Sequence, residues 1–285
     1  MAMIRKGDTR TVTSDVHPFS GGGGGIIFEY EVATLLTVEM LLSRFTRHQG
    51  VVSSISLQVG PPGFDDQTVV LELPDQNTRR IHVQCRVSQP FTRSSAKFVA
   101  LLTDAKMALL NDPAAFTAGE RRLAVYVGAH SPAHTTMTQL CDLARATSRT
   151  TDFIHVVEAN RGSLFSRWRH CLDAFQDPDV EQLHQILAII EVCSVDLQGR
   201  SSLDHIDIVN RLAEAWTPKD FGAARTLLDA IRAYLQTIGP FGGTVDPASL
   251  ERGVGNLLPN IGAYTRRSIL SRRRDASRLR IAGSL

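Results

Sequence analysis

The stretch FDDQTVVLELPDQNTRRIHVQCRV, residues 64–87, decides the fold. TVVLEL (68–73) and RIHVQCRV (80–87) are rich in apolar and β-branched residues, and the PDQN between them is rich in turn formers. The stretch therefore reads as an antiparallel hairpin. Side chains alternate between the two faces of a strand. Gln84 and Arg86 thus share one face, while Val83, Cys85 and Val87 share the other and point to the core. The short turn sets the start of the first strand beside the end of the second, so Asp65 or Asp66 comes close to Gln84 and Arg86. A carboxylate beside an amide oxygen, with a cation one step on, is a workable cradle for Mg²⁺ (or Mn²⁺) and a phosphodiester. Hard divalent cations take oxygen ligands, and such a metal activates water and stabilises charge developing on phosphate.

The flanking sequence alternates helix and strand signals. IIFEYEVATLLTVEMLLSRFTR (26–47) carries a broad apolar helical face, VVSSISLQV (51–59) alternates as a strand, and GPPG (60–63) is a turn. SSAKFVALLTDAKMALLND (94–112) is helical, with Ser94 or Ser95 as the N-cap. RLAVYVGA (122–129) reads as a buried strand, MTQLCDLARATS (137–148) as a helix, and DFIHVVEA (152–159) as one more strand. The order α-β-β-β-α-β-α-β over 26–160 predicts a mixed sheet with helices on its faces. From residue 162 the spacing is helical throughout: 163–175, 180–197, 202–216 and 218–238. Thr217 is the expected cap of the last of these, with Pro218 at its first position. The expected organisation is a flexible lead-in (1–25), an α/β domain (26–161), a helical connector (162–255) and a basic tail (256–285).

Composition narrows the class. The 285 residues are 43% hydrophobic and 21% charged with net charge +2, ordinary for a globular protein and neutral on nucleic acid as a partner. The four cysteines are scattered without a CxxC pair, which suits reduced, buried thiols. No run approaches the roughly 20 apolar residues of a membrane span, and MAMIRKGDTRTVTSD lacks the apolar core of a signal peptide. A cytoplasmic protein without a membrane partner is expected. GGGGG (21–25) has neither the GK[ST] ending nor the preceding strand of a phosphate loop. In HSPAH the proline separates His130 from His134 and no third zinc ligand is evident.

On these residues the chain resembles the Mrr-like branch of the PD-(D/E)xK restriction-endonuclease superfamily. FEYEVATLL (28–36) matches the helix pattern FExxVAxLL, with Glu29 in the acidic position and Glu31 as its competitor; GFDD supplies the aspartate; QCR (84–86) stands where QxK is expected. GFDDQTVV followed by IHVQCR is similar to the N-terminal nuclease domains of CBASS effectors and antiviral STAND (Avs) proteins. The resemblance implies a restriction-endonuclease-like mixed sheet flanked by helices and followed by an all-helical region. It implies a metal-dependent, largely sequence-nonspecific endonuclease for double-stranded DNA that acts as an antiphage effector. Asp66 or Asp65, Gln84 and Glu29 would hold Mg²⁺. Arg86 would clamp the phosphate, with Lys97 standing in for the family's lysine. His82 and the tail's Arg272, Arg273 and Arg274 are further candidates for nucleic-acid contact. Activity would be gated by homo-oligomerisation or by a fused or associated sensor module. Arg86 departs from the family pattern, because arginine holds negative charge but cannot be deprotonated. The alternative expectation is a nuclease-fold module with weak or dead chemistry that binds nucleic acid or mediates assembly. GGTVDPASLERGV (242–254) reads as the approach to a further domain.

Overall fold

A computed structural model describes residues 24–258 apart from 129, 176–178, 198, 200 and 217. Helix α1 (Gly24–Leu41) leads into strands β1 (Val51–Leu57), β2 (Gln67–Glu72) and β3 (Thr78–Arg86). Helices α2 (Ala96–Asn111) and α3 (Pro113–Thr117) then precede β4 (Arg121–Val127). Four helices follow: α4 (Pro132–Ala146), α5 (Thr150–Ala159), α6 (Ser163–Phe175) and α7 (Val180–Ile189). Strand β5 (Ile190–Ser194), α8 (Leu203–Ala213), α9 (Phe221–Ile238), the short β6 (Thr244–Val245) and α10 (Pro247–Val254) complete the described chain.

The sheet order is β5-β4-β3-β2-β1-β6. β1, β2 and β3 form an antiparallel meander, with Gln67 opposite Val83 and Glu72 opposite Thr78. β3, β4 and β5 are parallel to one another. The expected mixed sheet flanked by helices is the observed one. Alternation along the strands divides the core in two. Ile81, Val83, Cys85, Ala124 and Tyr126 join α1, α8 and α9 on one face. Leu123, Val125 and Val127 join α2, α4, α6 and α7 on the other.

Several local readings need correction. The helix expected over 26–47 stops at Leu41; Ser43 and Gln49 take positive φ, and Phe45 bridges to Val51. DFIHVVEA is helix α5: Phe153 and Val157, four apart, are its buried pair, and β4 has β3 and β5 on its two edges. IEVCS, expected as helix, is β5, because β-branched residues at period two fill the slot beside β4. α7 passes into β5 with no intervening residue, and two arginines make this possible. Arg122 donates to the Ala188 carbonyl (2.9 Å) and Arg145 to that of Ile190. Asp220 caps α9 by accepting from Ala223 N–H (2.9 Å), while Thr217 lies outside the described residues. Segment 242–254 belongs to the fold as β6 and α10, with Val245, Leu250 and Val254 in the core. β5 and β6 both come from the stretch read as helical, so the sheet draws on both sides of residue 161.

The loop GPPGFDD is seated by two contacts. Phe64 is fully buried in the α2 side of the core. Gly63 has φ +79 and a Cβ there would fall 2.1 Å from Asp104 Oδ2, so the loop lies directly on α2. Phe64→Ala is expected to cost about 3–5 kcal/mol in urea unfolding and to raise protease sensitivity at residues 60–66 ahead of global unfolding. A cost under about 1 kcal/mol would mean that the loop is held by something else.

Candidate functional site

β3 is buried on both faces from Ile81 to Cys85, and its last residue, Arg86, is half-buried where the sheet opens. Gln84 is 5% exposed, and its amide makes no hydrogen bond with a described residue. It faces a cavity of about 260 Å³ between β3 and α2 whose other walls are Arg86, Lys97, Ala100, Leu101 and Asp104. The helical residues 97, 100, 101 and 104 recur at the spacing of one helix face. Ser95 fixes the start of α2 by accepting from Phe98 N–H (3.2 Å), which sets Lys97 in the first turn. Arg86 and Lys97 form no ion pair with a described residue.

The carboxylates stand at the same end of the sheet. Asp66 lies one residue before β2, and its Oδ2 accepts from the Cys85 amide (2.6 Å) just past the last β2–β3 pair. Glu29 projects from α1; its Oε2 accepts from Gln58 Nε2 (3.3 Å) and its carbonyl from Gln67 Nε2 (2.7 Å). Burial pushes the Glu29 carboxyl up to about 7, with the Asp66 charge adding to it and the Gln58 hydrogen bond and Arg86 opposing it. Burial likewise raises Asp66, against the Cys85 amide and Arg86. Asp104 is raised by burial and by Asp65. Glu29, Asp65, Asp66, Gln84, Arg86 and Lys97 therefore gather around one sheet end. Asp104 and Gln58 were not foreseen. Asp104 read as an ordinary residue of an amphipathic helix, and nothing short of the GPPG loop packing on it marks it out.

Other candidates fall elsewhere. Glu31 is taken by Arg232 (2.7 Å) and braces α1 against α9. His82 is 8% exposed and bonded to Thr68 (3.0 Å), and burial beside Arg121 and Arg80 pushes it down to about 4. It is a neutral core histidine, closed to a nucleic acid. His134 reaches the Gln89 carbonyl (3.2 Å). Arg272, Arg273 and Arg274 lie outside the described residues. Among the described residues no group of three or more His, Cys, Asp or Glu could hold a metal ion, and no helix is long and apolar enough to cross a membrane.

No protein-family model matches the chain, and no curated protein does. Solved structures of Acinetobacter baumannii Cap4, a SAVED/CARF-domain containing receptor, do match. Its complex with the cyclic trinucleotide 3′3′3′-cAAA aligns over 86% of this chain at 10% identity and a TM-score of 0.54. The 2′3′3′-cAAA complex aligns over 86% at 11% identity and 0.52. The receptor without ligand in its name aligns over 86% at 11% and 0.52. The chain spans about half the length of these receptors, 48–49%. At this identity the likeness is one of fold.

These neighbours overturn the superfamily reading. They are named as receptors, two of them with cyclic trinucleotides, where a PD-(D/E)xK nuclease effector was expected. The DNA endonuclease activity, the Mg²⁺-dependent hydrolysis and double-stranded DNA as the partner, with assembly gating, are corrected with it. The local chemistry agrees. Arg86 cannot serve as a proton acceptor, and one Asp66 oxygen is held by the Cys85 amide.

The Glu29 shift predicts a pH dependence of stability. A carboxyl whose folded pKa is raised from 4.5 to about 7 destabilises the fold as pH climbs through that window. Glu29→Gln carries no such charge. In urea unfolding the variant's advantage over wild type is expected to be small at about pH 4 and to grow to a plateau near pH 8. A difference that stays flat with pH would show that Glu29 is solvated.

Proposed function

We propose that the chain is a ligand-binding module of a cyclic-oligonucleotide receptor in antiviral defence, acting in the cytoplasm, and that the β3–α2 cavity takes a phosphodiester of that ligand. The observation that carries this reading is Gln84. The Gln84 residue is 5% exposed, and its amide head, which bonds to no described residue, opens into a cavity flanked by two cations without ion-pair partners, so its hydrogen bonds are available to a ligand. Arg86 would grip phosphate oxygens with its fork and Lys97 would add a mobile point charge. Gln84 would donate its amide hydrogens to an ester or phosphoryl oxygen. Ala100 and Leu101 would give the flat side of a base an apolar floor. The ligand class named for the Cap4 complexes supports the choice of a cyclic oligonucleotide.

Asp65, Asp66 and Glu29 fit the reading as a second rim. Two neighbouring carboxylates resist double ionisation, so Glu29 would keep a proton in part of the population near neutral pH. A divalent cation, Mg²⁺ or Mn²⁺, would relieve that repulsion at Glu29 and Asp66 with the Gln84 oxygen as a third donor. With only two carboxylates its hold would be weak.

Isothermal titration of the chain with 3′3′3′-cAAA and 2′3′3′-cAAA tests the proposal, with and without Mg²⁺. Binding is expected, weakened about tenfold or more in Arg86→Ala and less in Lys97→Ala. The affinity should fall with added salt. Absence of binding to either isomer sinks the reading. Binding that survives Arg86→Ala and Gln84→Leu unchanged removes it from this cavity.

A further inference from the structure

A second cavity lies between α8 and α9, on the sheet face opposite α2. It measures about 290 Å³. Val209 and Leu228 form a buried floor, and Phe221, 48% exposed, and Ile206, 43% exposed, stand at its edge. His205, Asn210, Arg225 and Asp229 supply its polar lining. On α9, Phe221 and Arg225 are four apart and therefore neighbours on one face. Arg225 forms no ion pair with a described residue. Asp229, one turn further on, is engaged by Arg232 (2.8 Å), so its charge is partly met from within the fold.

We infer that this cavity is a binding site for a nucleoside monophosphate, separate from the β3–α2 cavity. The assignment follows from the order of the groups. Exposed aromatic rings at a cavity mouth stack on planar heterocycles. An apolar floor of Val209 and Leu228, with Ile206 at its edge, receives the base and excludes water from its face. The Asn210 amide, with one donor and one acceptor edge, meets the base edge across the groove. Arg225, one turn from Phe221 on the same helix face, lines the same cavity, and its guanidinium suits a phosphate monoester. The volume is at the small end for ligand sites, which suits one nucleotide rather than an oligomer. A purely apolar groove would not need Arg225 and Asn210 at its rim. A purely anionic site would not need Phe221 left nearly half exposed.

Saturation-transfer NMR and isothermal titration of the full chain with AMP, adenosine and inorganic phosphate test the site. AMP is expected to bind in the sub-millimolar range, adenosine more weakly, and phosphate barely. Arg225→Ala should weaken AMP about tenfold and leave adenosine within twofold. Phe221→Ala should weaken AMP and adenosine alike, by about fivefold or more. Arg86→Ala should change neither, which separates this site from the one proposed above. Both substituted side chains are exposed, so the fold should survive, and circular dichroism checks it. Should either variant misfold, AMP-induced amide shifts confined to α8 and α9 of the unsubstituted chain carry the same test. The inference is overturned if AMP gives no signal at about 5 mM, a bound below which small-ligand affinity is negligible. It is equally overturned if binding is indifferent to Phe221 and Arg225, or if the shifts map to β3 and α2.

Discussion

The pairing of β3 with β4 constrains everything around it. β3 joins an antiparallel meander on one side to a parallel pair on the other, so both of its faces are covered by helices over most of its length. Under that cover a polar side chain needs a partner, as His82 has in Thr68, and where the cover ends it can be left open. Gln84 and Arg86 stand at that end. The helices that cover β3 also line its polar tip: α1 brings Glu29, and α2 brings Lys97 and Asp104. The site is therefore a consequence of where the layers stop, and the residues that define it come from three elements distant in sequence.

The strand pairing was legible because it rests on period-two patterning and turn chemistry. The β2–β3 hairpin and the convergence of Asp65, Asp66, Gln84 and Arg86 follow from spacing within one short stretch, and of the two serines read as the cap of α2 it is Ser95 that serves. The reading went astray where short apolar runs suit either periodicity. DFIHVVEA alternates well enough for a strand, yet Phe153 and Val157 place it as α5 against α6 and α7. IEVCS continues a helical run, yet becomes β5 because β4 has a free edge and Arg122 and Arg145 satisfy the carbonyls at the junction. Both outcomes are decided by partners far along the chain, which local sequence does not specify. Asp104 was illegible for the same reason: its place is set by Gly63 arriving from another loop.

Function was less legible than fold. Short motifs such as FExxVAxLL and QxK describe a sheet end with polar residues, and that sheet end is present. They do not say what the polar residues hold. Polar groups at a strand tip serve proton transfer only if one can give up or accept a proton near neutral pH. Here the group that titrates there is Glu29, through burial and the Asp66 charge, while the position expected to carry lysine carries a permanent cation.

That arginine is the informative residue. A lysine in the same place could lose its proton when desolvated and act on water. A guanidinium cannot, and its planar fork is better suited to holding two oxygens of one anion in a fixed plane. Beside it, Gln84 offers directed donors and an acceptor without charge, and Asp66 is held by a backbone amide. Arg86 and Gln84 offer N–H donors that suit an anion, while Asp66 accepts from the Cys85 amide. The fixed cation and the directed amide at this end of the sheet are donors, and a donor set of that kind matches the oxygens of an anion better than it matches a proton in transit.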